Sequence, residues 1–184
     1  MYNVHVNIWH DISDSRITPE EFITVLEISR GSRKKYELDT ETGMLALDRI
    51  PPTGMYFPVN YGFIPRTLCE DGDALDVCVL CSEVLDPMTL VNCRPIGCFV
   101  MTDCGEGDEK IIAVPIKDPK FANVKDIGDL AANYVDEIMT FYKYYKSHDP
   151  KNVIELKPAE GRTRALAMIK DAKELYAKKF GGKK

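Results

Sequence analysis

Short apolar or alternating runs dominate the first two thirds of the chain, and Gly, Pro and Asp interrupt them. Runs of this length between turn-forming residues are typical of β-strands joined by tight turns. The predicted strands span residues 22–28, 35–38, 44–47, 77–81, 90–101 and 110–114. Several short strands in succession predict a small barrel or sandwich.

The last third has a helical pattern instead. Within residues 129–146 and 161–180, apolar residues recur three or four positions apart, which places them on one face of a helix. These residues are Tyr134, Ile138, Phe141 and Tyr145 in the first helix, and Ala165, Ile169, Ala172 and Tyr176 in the second. Asp129 is the candidate N-cap of the first helix. The chain is therefore expected to be a single α+β domain over residues 1–184, mainly β, with two helices packed on a barrel.

Composition and charge exclude several classes of protein. The 184 residues are 45% hydrophobic and 29% charged, which is ordinary for a globular protein and excludes a fibre or a disordered chain. The net charge of −5 gives no general attraction to nucleic acid or to an anionic membrane. No apolar run approaches the length of a membrane span, and the first residues do not resemble a secretory signal. The six cysteines are therefore expected to be reduced thiols in a cytoplasmic protein.

The densest chemical signal is an acidic segment, residues 70–76, directly before the predicted strand 77–81. Its carboxylates belong to Glu70, Asp71, Asp73 and Asp76. Like charges this close repel unless a cation lies between them, and oxygen ligands suit Mg²⁺. An ordinary solvated acidic turn is the alternative. An EF-hand is excluded because the Gly and Glu that its loop requires are missing at the corresponding positions.

A second acidic segment, residues 103–110, lies between two predicted strands and is expected to be a hairpin loop. Two acidic loops at strand ends could meet at one mouth of a barrel, although a plain solvated hairpin is the alternative. Candidate anion ligands also occur. Lys35 and Glu37 share one face of a strand, and Arg49 is a natural bidentate phosphate ligand. Carboxylates for metals beside cations for an anion favour metal-assisted phosphoryl transfer to water.

The chain resembles the family I soluble inorganic pyrophosphatases of the prokaryotic type. Matching motifs follow the family order along nearly the whole chain, and the most specific is the Asp-Gly-Asp-x-Leu-Asp-Val core of residues 71–77. Further matches lie at residues 7–11, 25–28, 31–37, 48–49, 58–65, 94–97, 101–103, 108–110 and 145–146. The resemblance implies a small closed β-barrel of OB-like topology. It also implies Mg²⁺-dependent hydrolysis of inorganic diphosphate to two phosphates.

The resemblance also implies roles for individual residues. Asp73 is the expected general base. The expected metal ligands are Asp71, Asp76, Asp103 and Asp108, with Glu27 and Glu37 as supporting carboxylates. The expected substrate ligands are Lys35, Arg49, Tyr61, Lys110, Tyr145 and Lys146. Several Mg²⁺ ions are expected at each site, with Mn²⁺ or other divalent ions as substitutes, and the expected assembly is a cytoplasmic homohexamer.

Four positions depart from the family pattern. Phe57 follows Tyr56 where the family has Phe-Tyr, so the hydroxyl has moved one position along and is expected to face the opposite way. Ala74 replaces a common Pro, and Cys104 replaces a common Glu. The segment 151–153 replaces Gly-Lys-Trp, which leaves a phosphate-binding lysine shifted or lost.

Three other functions compete with this interpretation. An OB-like barrel could bind single-stranded nucleic acid through aromatic residues 56–63, but the net charge opposes it. A zinc or redox site at Cys78 and Cys81 is disfavoured because residues three apart in a strand face opposite sides. A related hydrolase could act on nucleotides or longer polyphosphates, but nothing in the chain resembles a base-binding pocket.

Overall fold

The computed structural model describes residues 6–52, 54–103, 105–149 and 153–181, without the side chains of Asp103 and Glu106. The helices are α1 (Ile8–Asp11), α2 (Ala132–Tyr144) and α3 (Arg162–Phe180). The first strands are β1 (Phe22–Ile28), β2 (Lys35–Leu38), β3 (Leu45–Arg49), β4 (Asn60–Phe63) and β5 (Asp76–Val79). They are followed by β6 (Leu90–Asp103), β7 (Glu106–Pro115), β8 (Ile154–Leu156) and β9 (Glu160–Gly161).

Five strands form a closed ring. β1 pairs with β4 and β6, β4 with β5, β5 with β7, and β7 with β6. Only the β5–β7 pair in this ring is parallel. β8 and β9 pair with β6 outside the ring, and β2 and β3 form a separate antiparallel hairpin. The predicted α+β class is confirmed, and the ring agrees with an OB-like barrel carrying two C-terminal helices.

Alternate side chains of β5 and β7 enter two different apolar clusters. Val77 and Ile111 pack in a cluster with Ala165 and Ile169 of α3, whereas Cys78 packs in a second cluster with residues of α2. These strands are apolar on both faces because each face is covered. The predicted apolar faces of both helices are confirmed: Ile138, Phe141 and Tyr145 are buried in one, and Ala165, Ile169, Ala172 and Tyr176 in the other.

Several elements differ from the prediction, and three of these differences have a clear physical reason. β4 was not predicted because Asn60 and Gly62 are poor strand formers, and contacts with β1 and β5 hold it in the ring. The predicted loop 103–110 is mostly strand, since β6 and β7 pair out to Asp103 opposite Glu106. Asp129 is not the N-cap of α2: its carboxylate accepts the Lys125 and Asp126 amides of the preceding 3-10 turn, and α2 starts at Ala132.

Within the part of the chain that the structure describes, no helix has the length and apolar character needed to cross a bilayer.

Gly62 is required where β1 and β4 approach most closely. A Cβ atom added there would lie 2.0 Å from the Val25 carbonyl oxygen and 2.8 Å from the Leu26 Cα. Both contacts are with backbone, so no side-chain rotation relieves them. The ring therefore closes at this point only with glycine.

We predict that Gly62→Ala lowers the free energy of unfolding by at least about 3 kcal/mol, because β1 and β4 must separate to admit the methyl group. Urea unfolding measures this loss. Gly107→Ala is the matched control in β7, since nothing lies within 4 Å of a Cβ added there. A Gly62→Ala midpoint equal to that of the control would contradict the prediction.

Candidate active site

A tight loop carries the first acidic segment to the edge of a cavity of about 220 Å³. The Cys69 amide donates to the Asp73 carbonyl at 2.8 Å, and Gly72 has a φ of +95°, which favours glycine. The Asp71 carboxylate accepts the Asp73 amide at 3.0 Å. The side chain of Leu75 is buried, and its amide donates to the Thr67 hydroxyl at 2.9 Å. This anchored turn holds Asp71 and Asp73 at the cavity wall.

A buried lysine joins the two acidic segments. Parallel pairing of β5 with β7 sets Asp76 opposite Lys110, and Asp108 lies two residues earlier on the same strand. The Lys110 ammonium donates to Asp76 Oδ2 at 2.7 Å and to Asp108 Oδ1 at 2.8 Å. The Lys110 side chain is only 3% exposed. Burial alone would lower the pKa of Lys110, but the two carboxylates raise it above its ordinary value, so the ammonium stays charged.

Tyr61 completes this centre from the neighbouring strand β4. Its hydroxyl donates to Asp76 and accepts a bond of 3.3 Å from the Lys110 ammonium. The pKa of Tyr61 is raised by burial and by the nearby Asp76 carboxylate, which keeps the phenol protonated as a donor. Tyr61 and Lys110 therefore act as two hydrogen-bond donors fixed at the junction of Asp76 and Asp108.

Negative charge is in excess around the cavity. Among the described residues, six carboxylates line it, from Glu27, Glu37, Asp71, Asp73, Asp76 and Asp108, against three lysines, Lys35, Lys110 and Lys146. Burial and the Asp76 carboxylate raise the pKa of Glu27 to about 8, although the Leu38 amide that donates to Glu27 at 2.9 Å opposes the rise. Partial burial and the nearby Asp71 raise the pKa of Asp73. Burial also raises that of Asp108, against the pull of Lys110. The site is therefore suited to added cations.

Hairpin β2–β3 supplies the opposite wall. Lys35 and Glu37 line the cavity and are hydrogen-bonded to each other. Arg49 lies beside Lys35 in register but donates to Asp48 at 2.5 Å, and it is not among the described residues that line the cavity. The geometry therefore brings Lys35 to the site and leaves Arg49 at its margin.

The C-terminal end of α2 supplies the last predicted ligands. The Tyr145 ring is buried and stacks on Phe141 with centroids 5.4 Å apart, and both Tyr145 and Lys146 line the cavity. The Asp103 side chain and Cys104, Lys151 and Asn152 lie outside the described residues. Other lining residues had no predicted role in the site, and Trp9 and Tyr142 are two of them. Tyr142 falls on the apolar helix face between Ile138 and Tyr145, which was its one signal in the sequence.

A family model described as inorganic pyrophosphatase matches residues 24–177. The chain belongs to the inorganic pyrophosphatase family. It is 41% identical over 172 residues to soluble inorganic pyrophosphatase 2 of Chlamydomonas reinhardtii, covering 94% of this chain and 89% of that one. It is 43% identical over 176 residues to a soluble inorganic pyrophosphatase of Oryza sativa subsp. indica, covering 95% and 81%.

Solved structures of the same family share the fold. An inorganic pyrophosphatase from Thermus thermophilus superposes with a TM-score of 0.87 at 35% identity, over 93% of this chain and 99% of that one. The Helicobacter pylori enzyme gives a TM-score of 0.85 at 36% identity, over 90% and 98%. The predicted family and fold are both confirmed.

The donor chemistry of this pyrophosphatase site fits Mg²⁺. In the described residues no three His, Cys, Asp or Glu side chains converge closely enough to form a metal cage. Mg²⁺ does not require one, because it keeps several waters and binds through one or two carboxylates plus phosphate oxygens. Asp76 and Asp108 already share one cation, the Lys110 ammonium. Paired carboxylates of this kind are the ligands that a hydrated divalent ion uses.

Two competing functions lose support. The Phe57, Tyr61 and Phe63 rings are buried and Tyr56 alone of this aromatic group is exposed, so the group offers no continuous platform on which successive bases could stack. Cys78 is buried in one cluster and Cys81 packs against the other, as expected for opposite faces of a strand. Burial raises the pKa of the Cys78 thiol to about 12, which withholds the thiolate that zinc binding requires.

We predict that Glu27→Gln changes the pH dependence of stability without Mg²⁺. Because the folded-state pKa of Glu27 lies above its unfolded value, the wild type loses stability relative to the variant as pH rises from about 4 to about 8. The difference should reach a few kcal/mol, on the order set by the shift, and then level off. Urea unfolding in EDTA across this range measures it.

Exposed Glu174 provides the control, since Glu174→Gln removes a carboxylate from the surface of α3 that does not line the cavity. If the wild type and Glu27→Gln differ by the same free energy at every pH, Glu27 does not carry a raised pKa.

Proposed function

We propose that this protein hydrolyses inorganic pyrophosphate to two phosphates in a reaction that requires Mg²⁺. The observation that carries the proposal is the excess of carboxylates over lysines around one cavity. Pyrophosphate is small and highly charged and has no apolar part, so its binding depends on cations and charge-assisted hydrogen bonds. Membership of the pyrophosphatase family supports this choice of substrate.

Asp71, Asp76 and Asp108 would hold the metal ions, and Asp103 would serve a further one. Bound Mg²⁺ would neutralise charge on the phosphates and make a nearby water more acidic. Glu27 and Glu37 would support this site from β1 and β2. Mn²⁺ or other divalent ions would serve as substitutes.

Asp73 would accept the proton of the attacking water. It lies on the same anchored turn as Asp71, and its carboxylate faces the cavity that would hold the substrate. The raised pKa of Asp73 suits this role, because a general base works best when its proton affinity approaches the working pH. The water oxygen bonds to one phosphorus, the bridging P–O bond breaks, and the second phosphate leaves with those electrons.

Phosphate oxygens would be held by the cations and phenols around the cavity. Lys35 approaches from hairpin β2–β3, Lys110 from β7, and Lys146 from the end of α2. The proposed hydroxyl donors are Tyr61 and Tyr145. Arg49 would reach the substrate only by leaving Asp48, and this exchange would couple the hairpin to phosphate binding.

Assembly and location are further parts of the proposal. A homohexamer in the cytoplasm is proposed from the family resemblance. The described cysteines are free thiols, which agrees with a reducing compartment. Light scattering on the purified chain measures the subunit number.

We predict that Asp73→Asn lowers kcat for pyrophosphate on the order of 10²- to 10⁴-fold at saturating Mg²⁺, because the amide cannot take up the proton. Phosphate release with Mg²⁺ and with EDTA measures the loss and the metal requirement. Glu174→Asn on α3 is the control for removing one carboxylate, since its side chain is 55% exposed on the helix surface. Full activity of Asp73→Asn would refute the general-base role, and an inactive wild type would refute the function.

We predict that Phe57→Tyr raises activity a few-fold at limiting Mg²⁺. The Phe57 ring is buried against Phe141 at 4.8 Å and lines the cavity, so an added hydroxyl would reach the acidic site. Tyr56 is 58% exposed and lies outside the cavity lining, which makes Tyr56→Phe the matched control. An unchanged Mg²⁺ dependence for Phe57→Tyr would show that the missing hydroxyl has no part in metal or phosphate binding.

A further inference from the structure

The ammonium of Lys110 lies beside two adjacent aromatic rings as well as between two carboxylates. Its Nζ atom is 5.5 Å from the centroid of the Tyr61 ring and 5.3 Å from that of the Tyr142 ring. Both distances are within the range at which a cation is attracted to a ring face. Asp76 and Asp108 complete the enclosure at hydrogen-bond distance. Four groups from three strands and one helix thus surround a single buried charge.

Tyr142 offers Lys110 its ring face and not its hydroxyl. The hydroxyl lies 3.5 Å from the Cys78 sulfur, on the apolar side of the sheet. The side chain is 2% exposed, and its ring packs against Phe99 at 5.3 Å and Tyr145 at 5.6 Å. With both ends of the side chain fixed, the ring has no freedom to turn away from the ammonium.

The position of Lys110 matters because its ammonium holds Asp76 and Asp108 together. A lysine side chain has four rotatable bonds, and two hydrogen bonds at its tip leave the tip free to tilt. The Tyr61 and Tyr142 ring centroids are 6.4 Å apart, so the two rings lie on the same side of the ammonium and restrict its tilt in that direction. The consequence for catalysis rests on the proposed function, in which these two carboxylates bind metal and Lys110 meets a phosphate oxygen.

We propose that Tyr142 is a positioning residue, whose ring face fixes the Lys110 ammonium at the junction of Asp76 and Asp108. The role belongs to the electron-rich ring, so it should survive loss of the hydroxyl and fail on loss of the ring. It should also depend on the charge of Lys110.

The first test is a double-mutant cycle measured by urea unfolding of the full chain in EDTA. Tyr142→Leu is placed in the wild type and in Lys110→Met, which keeps the length of the side chain and removes its charge. The loss in midpoint from Tyr142→Leu should be clearly smaller in the Lys110→Met background. Phe141→Leu is the matched control, because this ring is buried in the same cluster and contacts Tyr142, whereas Phe99 pairs directly with Lys110 across the strands. Its loss should be the same in both backgrounds.

Equal losses from Tyr142→Leu in the two backgrounds would overturn the proposal, because they would show that the ring only fills space. A second measurement applies if Lys110→Met does not fold. Phenylalanine with one, two or three ring fluorines replaces Tyr142, and the same series replaces Phe141. Fluorine withdraws electron density from the ring face and weakens its attraction for a cation. The midpoint should fall with fluorine number relative to the position 141 series, and parallel series would overturn the proposal.

Activity separates this proposal from the proposed function. Tyr142→Leu should lower kcat/KM for pyrophosphate on the order of tenfold, and Tyr142→Phe, which restores the ring, should recover most of it. The kcat/KM of the fluorinated variants should decrease with fluorine number, from the value of Tyr142→Phe toward that of Tyr142→Leu. Coupling in the unfolding cycle without hydrolysis by any form of the protein would refute the function and leave the positioning role intact. If kcat/KM for pyrophosphate is unchanged by fluorination and by loss of the ring, the positioning role is overturned and the proposed function stands.

Discussion

The pairing of β5 with β7 is the constraint on which the rest of the site depends. It is the one parallel pair in the five-stranded ring, and it sets Asp76 opposite Lys110. The two residues are 34 positions apart, and a charge pair buried at this depth is stable only when its partners are held in register. The ring fixes that register because β4 and β6 pair with the outer edges of the two strands. The same strand pairing therefore closes the barrel and assembles the acidic centre.

Electrostatic strain in the cavity follows from the same arrangement. Lys110 neutralises part of the charge of Asp76 and Asp108, but Glu27 and Asp73 remain close to uncompensated carboxylates. The folded protein tolerates this by raising their proton affinity, at some loss of stability at neutral pH. A site that is unfavourable when empty gains most when cations arrive. Under the proposed function, this loss of stability would be offset when metal and pyrophosphate bind.

Much of the fold could be predicted from local pattern. The limits of β1 and β2 agree with the predicted short apolar or alternating runs. The position of α3 agrees with its predicted apolar repeat. β4 could not be predicted this way, because Gly62 is placed by the close approach of another strand and not by any preference for extended structure. Asp129 has the residue type of an N-cap for α2, but its carboxylate accepts hydrogen bonds within the turn that precedes α2. Whether the whole chain is one domain stays a prediction.

Prediction of the site was limited by long-range contact. The acidic segments and the lysines were identified from the sequence, and most of them line one cavity. Arg49 was assigned to the same group, yet its nearest partner is the adjacent Asp48. The significance of Tyr142 depends on how α2 lies against β5 and β7, which no local pattern encodes. Sequence thus identifies the charged groups and Tyr61, whereas the contact of Tyr142 with Lys110 is evident only in the fold.

One further consequence arises from α1. Trp9 is the only tryptophan in the chain, its indole N–H donates to the Thr67 carbonyl at 2.9 Å, and its ring forms part of the cavity wall. Its ring also stacks on His10 at 4.8 Å. The intrinsic fluorescence of the protein therefore originates at the wall of the cavity, within reach of its charges. The molecule carries its own optical reporter, whose emission would follow the filling of the site without any label.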